Sequence, residues 1–227
     1  MLIMRSLLVV CTFLTLFSPA RADEPALRKY QSLLARECDA LIATAVKRPY
    51  GWAWELTSDQ DSQKTPRNVA VCFEPSATPA AGLLLLCAGE LLHEPKYTDA
   101  ARNVAKGIAA AQHSTGKFPG QAFFGPTSAS SNEPPAPLPD RASTRAALAL
   151  LLSVLDADEK DKPEVISRAA ARGSSWLLRQ QAESGAWPIT YPAGASPADA
   201  TRLVRLDTSD TRDCILTMLL AYEVLGD

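Results

Sequence analysis

Two segments of this chain spell one pattern. Gln112-His113-Ser114-Thr115-Gly116-Lys117-Phe118-Pro119 and Gln181-Ala182-Glu183-Ser184-Gly185-Ala186-Trp187-Pro188 both read Gln-x3-Gly-x-aromatic-Pro. A looser relative, Pro49-Tyr50-Gly51-Trp52-Ala53-Trp54, lies upstream. Each is followed by a loop and then by an apolar helix with a matching start: Ala77-Thr78-Pro79-Ala80, Ser143-Thr144-Arg145-Ala146 and Asp210-Thr211-Arg212-Asp213. Thr78 and Thr144 are 66 residues apart, and Thr144 and Thr211 are 67 apart. A period of this size marks a supersecondary unit copied three times, each copy burying its apolar face against its neighbours.

Periodicity predicts two helices per unit, six in all: about Pro25–Val46, Thr78–His93, Tyr97–Gln112, Ala142–Ala157, Pro163–Ala182 and Ser209–Leu225. The second, fourth and sixth are apolar, the second carrying Leu83 to Leu86 and Cys87 in one block, which predicts burial on most sides. The first, third and fifth are amphipathic. Short connections make antiparallel hairpins of helices two and three and of four and five. The other three links are about 26–31 residues long, rich in Pro, Ser and Gly, and without predicted structure. They fall at the same place in every unit and should therefore cluster at one end, where a site would sit.

The first 22 residues read as an export leader: Arg5 is basic, Leu7 to Phe17 is apolar, and Ala20-Arg21-Ala22 is a small-x-small cleavage site. A retained membrane anchor is the alternative, but the apolar run is short for a spanning helix. The expectation is a periplasmic or extracellular protein with no stable membrane insertion after cleavage and one helical-repeat domain over residues 23–227. Cleavage removes two basic residues and leaves 21 basic against 25 acidic, a net charge of −4, which argues against a nucleic-acid partner. Four cysteines remain: Cys38, Cys72, Cys87 and Cys214. An exported chain can pair them, with Cys38–Cys72 the more plausible bridge; Cys87 and Cys214, inside apolar runs, are expected to be buried thiols.

Alternating apolar and amphipathic helices, with Gln-x3-Gly-x-Trp closing the outer one, resemble the α/α toroid of terpenoid cyclases and protein prenyltransferases. Gln181, Gly185 and Trp187 fit that motif fully, whereas Gln112, Gly116 and Phe118 substitute one aromatic. The Gln amide should bind free carbonyls at the helix end, Gly should supply a left-handed turn, and the aromatic should plug the gap between helices. The last 60 or so residues are more similar to family-ten pectate lyases, in which Gly-Gly-Trp-Pro-Gln-x-Tyr-Pro precedes a helix opening with Asn-Asp-Asp. Here Ser184 to Pro192, with Trp187, Pro188, Tyr191 and Pro192 in register, precedes Leu206-Asp207-Thr208-Ser209-Asp210-Thr211-Arg212-Asp213. The fold class this implies is all-α, three helical repeats forming a partial α/α toroid. In those lyases an arginine base comes from later in the chain, beyond anything matched here. The cyclase Asp-x-Asp-Asp motif and the prenyltransferase zinc ligands are absent from the sequence.

Candidate site residues follow from chemistry near the long links. Asp207, Asp210 and Asp213 recur every three residues, as oxygen ligands for calcium or as caps of the sixth helix. Arg145 and Arg212 occupy equivalent places and, with Arg202 and Arg205, form a candidate binding cluster for carboxylated sugars; the alternative pairs Arg145 with Asp140 and Arg212 with Asp207. A lyase needs a base beside a carboxylate and a charge to steady the enolate, so Arg212 and Asp210 are the catalytic candidates. Trp52 and Tyr191 are candidates for stacking on sugar rings, and Trp187 for an inter-repeat plug. His93 and His113 read as partners of helix C-termini. The expectation is an exported pectate-lyase-like protein binding an anionic polysaccharide. The competing one is a scaffold that receives another exported protein on an open apolar helical face.

Overall fold

The computed structural model describes residues 24–55, 68–130, 141–158, 162–183, 185–187 and 209–226. The leader, Asp140, the residue run 188–208 and the residue run 56–67 lie outside it. Six helices are present among the described residues: α1 (Glu24–Thr44), α2 (Thr78–Leu92), α3 (Pro95–Ala110), α4 (Arg141–Ala157), α5 (Glu164–Arg179) and α6 (Ser209–Leu225). The protein is mainly helical, as the periodicity predicts. Prolines mark the starts where a lost N–H costs nothing: Pro79 in the first turn of α2 and Pro95 at the head of α3. The α2–α3 hairpin turns at His93, which adopts a left-handed φ of 55° and sends its backbone N–H back to Gly89 and Glu90.

Packing sorts the helices into two rows. The apolar helices α2, α4 and α6 touch in sequence, and α3 and α5 lie against them and against each other. Leu148, Leu150, Leu151, Leu152 and Leu155 of α4 are all fully buried at the centre, with Tyr97, Val104 and Ile108 from α3 and Ile166 and Leu177 from α5. Side-chain size is traded across the rows. Gly82 of α2 abuts Val104 of α3, and at the equivalent crossing Leu148 of α4 abuts Gly173 of α5.

The long links differ from expectation in carrying strands. Short strands β1 (Val46–Arg48) and β2 (Gly51–Ala53) form a hairpin, and β3 (Val69–Cys72), β4 (Gln121–Phe124) and β5 (Ala129–Ser130) form an antiparallel sheet in that order. Runs of two to four residues are too short to show a period of two, which is why periodicity missed them. Because β3 and β4 come from different repeats, the sheet fastens the first long link to the second at one end of the molecule. An isolated bridge from Glu55 to Val71 adds the stretch after β2. The β2 backbone also crosses α3 closely: a Cβ on Gly51 would fall 2.0 Å from the Gly107 nitrogen, so both positions require glycine.

Three cysteine and packing expectations change. Cys38 and Cys72 are separate buried thiols, not a bridge. Cys214 is buried as expected, but Cys87 is exposed. It shares the outward face of α2 with the exposed Leu84 and Leu91, so α2 is covered on one side rather than on most sides. No described helix is long and apolar enough to cross a membrane.

Candidate functional site

A buried threonine stands one turn or less into each of α2, α4 and α6, and each is tied to the aromatic residue that closes the preceding outer helix. Thr78 Oγ1 accepts from the Trp54 backbone N–H at 3.3 Å, and Thr144 Oγ1 accepts from the Phe118 N–H at 3.1 Å. Thr211 Oγ1 donates to the Trp187 carbonyl at 3.3 Å. The structural partner of Phe118 and Trp187 in the first repeat is therefore Trp54, not Trp52. The indoles of Trp54 and Trp187 each donate to a carbonyl near the end of the outer helix, Leu41 at 3.1 Å and Leu177 at 2.8 Å. Trp187 and Phe118 are buried plugs, as the motif predicts.

The glutamines act differently from expectation. Gln112 Nε2 donates to the carbonyl of Gly116 at 2.9 Å and Gln181 Nε2 to that of Gly185 at 2.6 Å, closing the turn rather than capping the helix. Gln112 also donates to Ala169 on α5, joining one repeat to the next. Gly116 and Gly185 have φ of 97° and 85°, the positive values the turn needs.

These ties set the first turns of α4 and α6 side by side, and there the charged residues converge. Asp210 accepts from both Arg141, at 2.7 Å, and Arg145, which also reaches the Asp210 carbonyl at 3.0 Å. Arg141 is buried, and Arg145 and Asp210 are partly so. The Cys214 thiol lies beneath, 3.9 Å from Arg145 Nη1. Burial pushes its pKa up, as does the charge of Asp210, while the hydrogen bond from Arg145 opposes them. Arg141, four residues before Arg145 on the same helix face, was not singled out in the sequence. Its signal was an i, i+4 pair of arginines at a helix start, where cations are unfavourable without a nearby anion.

The other candidates are more scattered. Arg212 is exposed and pairs with its neighbour Asp213 at 2.8 Å. The expected partners Asp140 and Asp207 lie outside the described residues, as do Arg202, Arg205 and Tyr191. Trp52 is half-buried, with the Lys47 ammonium 4.7 Å from its ring centre. Tyr50, unremarked as a site residue, donates its hydroxyl to the Gly125 carbonyl at 2.8 Å and so clamps the first link to the second. His93 is the helix cap already described, and His113 Nδ1 sits 3.1 Å from Thr115 Oγ1. Among the described residues, no three His, Cys, Asp or Glu side chains are placed to hold a metal ion. The clearest surface depressions lie at the other end, one around His93, Thr98, Asp99 and Arg102 and one around Gln31, Glu94 and Lys96.

No protein-family model matches the chain, and neither does any curated protein. Two solved structures align with it. One is a family 10 polysaccharide lyase from Cellvibrio cellulosa, at a TM-score of 0.49 and 17% identity, over 86% of this chain and 63% of that one. The other is an aspartate-to-alanine variant of a family 10 polysaccharide lyase from the same organism, in complex with trigalacturonic acid, at a TM-score of 0.48 and 16% identity, over 87% of this chain and 68% of that one. The chain thus spans less than two thirds of the length of the first.

Proposed function

We propose that this chain is an exported, pectate-lyase-like helical-repeat protein, part of an α/α toroid, that binds an anionic polysaccharide at the end of the molecule carrying the long links. The convergence of Arg141 and Arg145 at the start of α4, beside the first turn of α6, carries this reading. Guanidinium groups match carboxylates in a two-pronged geometry, and helix N-termini favour negative charge. Arg212 is one turn away on the exposed side of α6, and Arg202 and Arg205 precede it in sequence. Asp210 holds Arg145 in place and would compete with a sugar carboxylate for it, so the ligand is expected to engage Arg212 directly and Arg145 by partial exchange. A proton-abstracting role for Arg212 requires a deprotonated guanidinium, which the Asp213 carboxylate opposes. Binding without turnover is therefore the expected behaviour.

The test is calorimetric titration of the purified chain with oligogalacturonates, a neutral oligosaccharide serving as control. Binding of the acidic oligomer alone supports the reading, with affinity falling about tenfold in Arg212→Gln, the loss of one charge-assisted contact worth about 1.4 kcal/mol. The reading assigns the anion to guanidinium groups, so a calcium chelator should leave affinity unchanged. A chelator-sensitive titration would instead put the contact on Asp207, Asp210 and Asp213 through calcium. Ultraviolet absorbance from an unsaturated product would show lyase activity. Equal affinity for neutral and acidic oligomers, or none for either, would remove the proposal.

A further inference from the structure

The outward face of α6 is apolar and bare. Ile215, Leu216, Leu219 and Tyr222 recur at helical spacing and are all exposed, Leu219 by 59% and Tyr222 by 66%. The threonine ties give the equivalent positions in the other repeats. Ile215, Leu219 and Tyr222 correspond to Leu148, Leu152 and Leu155 of α4, which are fully buried, and to Gly82, Leu86 and Gly89 of α2, which are buried too. The cover in those repeats is visible. Gly82 and Gly89 abut Val104 and Thr98 of α3, and Leu148 abuts Gly173 of α5. An inner helix of this module is thus buried by the outer helix that follows it, and among the described residues none follows α6.

The opposite edge has the complementary vacancy. α1 is an outer helix, and the indole ties align its Leu41 with Leu177 of α5. Tyr30 and Leu33 then correspond to Ile166 and Ala169 of α5. In α3, aligned through Gln112 and Gln181, the same two places are Tyr97 and Ala100. All four of those residues are buried. Tyr30, by contrast, is 68% exposed, and Leu33 and Leu27 beside it are exposed as well. The side that an outer helix turns toward the preceding repeat is therefore bare on α1, just as the side an inner helix turns toward the following one is bare on α6.

We propose that α1 of a second copy of this chain docks on α6, so that copies associate head to tail through a contact that repeats the inner–outer packing already present twice within one chain. Both apolar faces are then covered by the same kind of helix that covers their equivalents, which a face-to-face pairing of two α6 helices would not achieve for α1. Such a contact uses two different patches and either closes into a small ring or runs on.

Light scattering on the size-fractionated protein, its N-terminus read by mass spectrometry, tests this with two surface variants, Leu219→Glu with Tyr222→Glu, and Tyr30→Glu with Leu33→Glu. Circular dichroism confirms that each is folded. The unchanged protein is expected to exceed the mass of one chain at tens of micromolar, and each variant alone to run as a monomer. A one-to-one mixture of the variants should recover a dimer, since one of them keeps a sound α1 and the other a sound α6. A strictly monomeric unchanged protein would overturn the proposal, whether because residues 1–23 or a different protein cover α6. An α1 variant that still dimerises, or a mixture that stays monomeric, would overturn it equally.

Discussion

Among the residues of the repeated turn, glycine positions separate two costs that the sequence cannot tell apart. Gly116 and Gly185 stand at equivalent places with similar positive φ. A Cβ on Gly116 would fall 2.4 Å from the Arg172 carbonyl oxygen, whereas one on Gly185 meets nothing closer than the Gln181 amide at 4.0 Å. Gly185→Ala is therefore expected to cost only the left-handed backbone penalty, about 1–2 kcal/mol. Gly116→Ala adds a clash with backbone that cannot swing aside and should cost at least twice as much. Urea unfolding of both variants gives the comparison, and equal losses would mean that α5 yields freely at Arg172. The motif was legible in the sequence, but not its wiring. Nothing in Gln-x3-Gly-x-aromatic says that the amide closes its own turn, or that Trp54 rather than Trp52 is the first repeat's plug. Two tryptophans two residues apart in a strand point to opposite faces, and only the position of Thr78 decides between them.

At the level of elements, α6 is held to α4 by Asp210 between Arg141 and Arg145. Asp210→Asn leaves the buried Arg141 without that carboxylate and is expected to cost about 3 kcal/mol. Arg145→Met keeps the Arg141–Asp210 half and much of the stem packing, so its cost should be smaller, about 1–2 kcal/mol. In a double-mutant cycle the two losses should fall well short of additive. Additive losses would mean that Arg145 and Asp210 do not act on one another. The six helices themselves were readable from periodicity because each is fifteen residues or longer. The cross-repeat ion cluster was not. Arg145 and Asp210 are 65 residues apart, and local spacing offered the nearer aspartates Asp140 and Asp207 as partners instead. The outward face of α2 was misread for a related reason: an unbroken apolar block carries no period, so it cannot say that Leu84, Cys87 and Leu91 face out.

For the molecule as a whole, the groups that folding perturbs bear mostly on the alkaline side. Burial pushes the thiols of Cys38, Cys87 and Cys214 up, and likewise the phenols of Tyr50 and Tyr97, because the interior disfavours their charged forms. The Lys96 ammonium is also raised, chiefly by its hydrogen bond to Asp39. A group whose folded pKa exceeds its unfolded value gives stability that is whole below the unfolded pKa and is lost as pH rises through the folded one. For thiols that window opens at about pH 8.5, and for phenols and Lys96 at about pH 10. Asp39 is shifted the other way, lowered first by its hydrogen bond to Lys96, so its share is lost only as the solution turns acid through the folded value. The urea midpoint, measured under reducing conditions, should therefore fall steadily from about pH 8 to pH 10. Replacing Cys214 with Ala should flatten that fall while lowering the midpoint at neutral pH through lost packing. A midpoint that stays level across the interval, or an equally steep fall in the Cys214→Ala variant, would show that the buried thiol does not supply its share. The alkaline slope would then belong to the tyrosines that fasten α1 and the β1–β2 hairpin to the rest: Tyr97 donates its hydroxyl to Ala35 at 3.0 Å, and Tyr50 donates to Gly125.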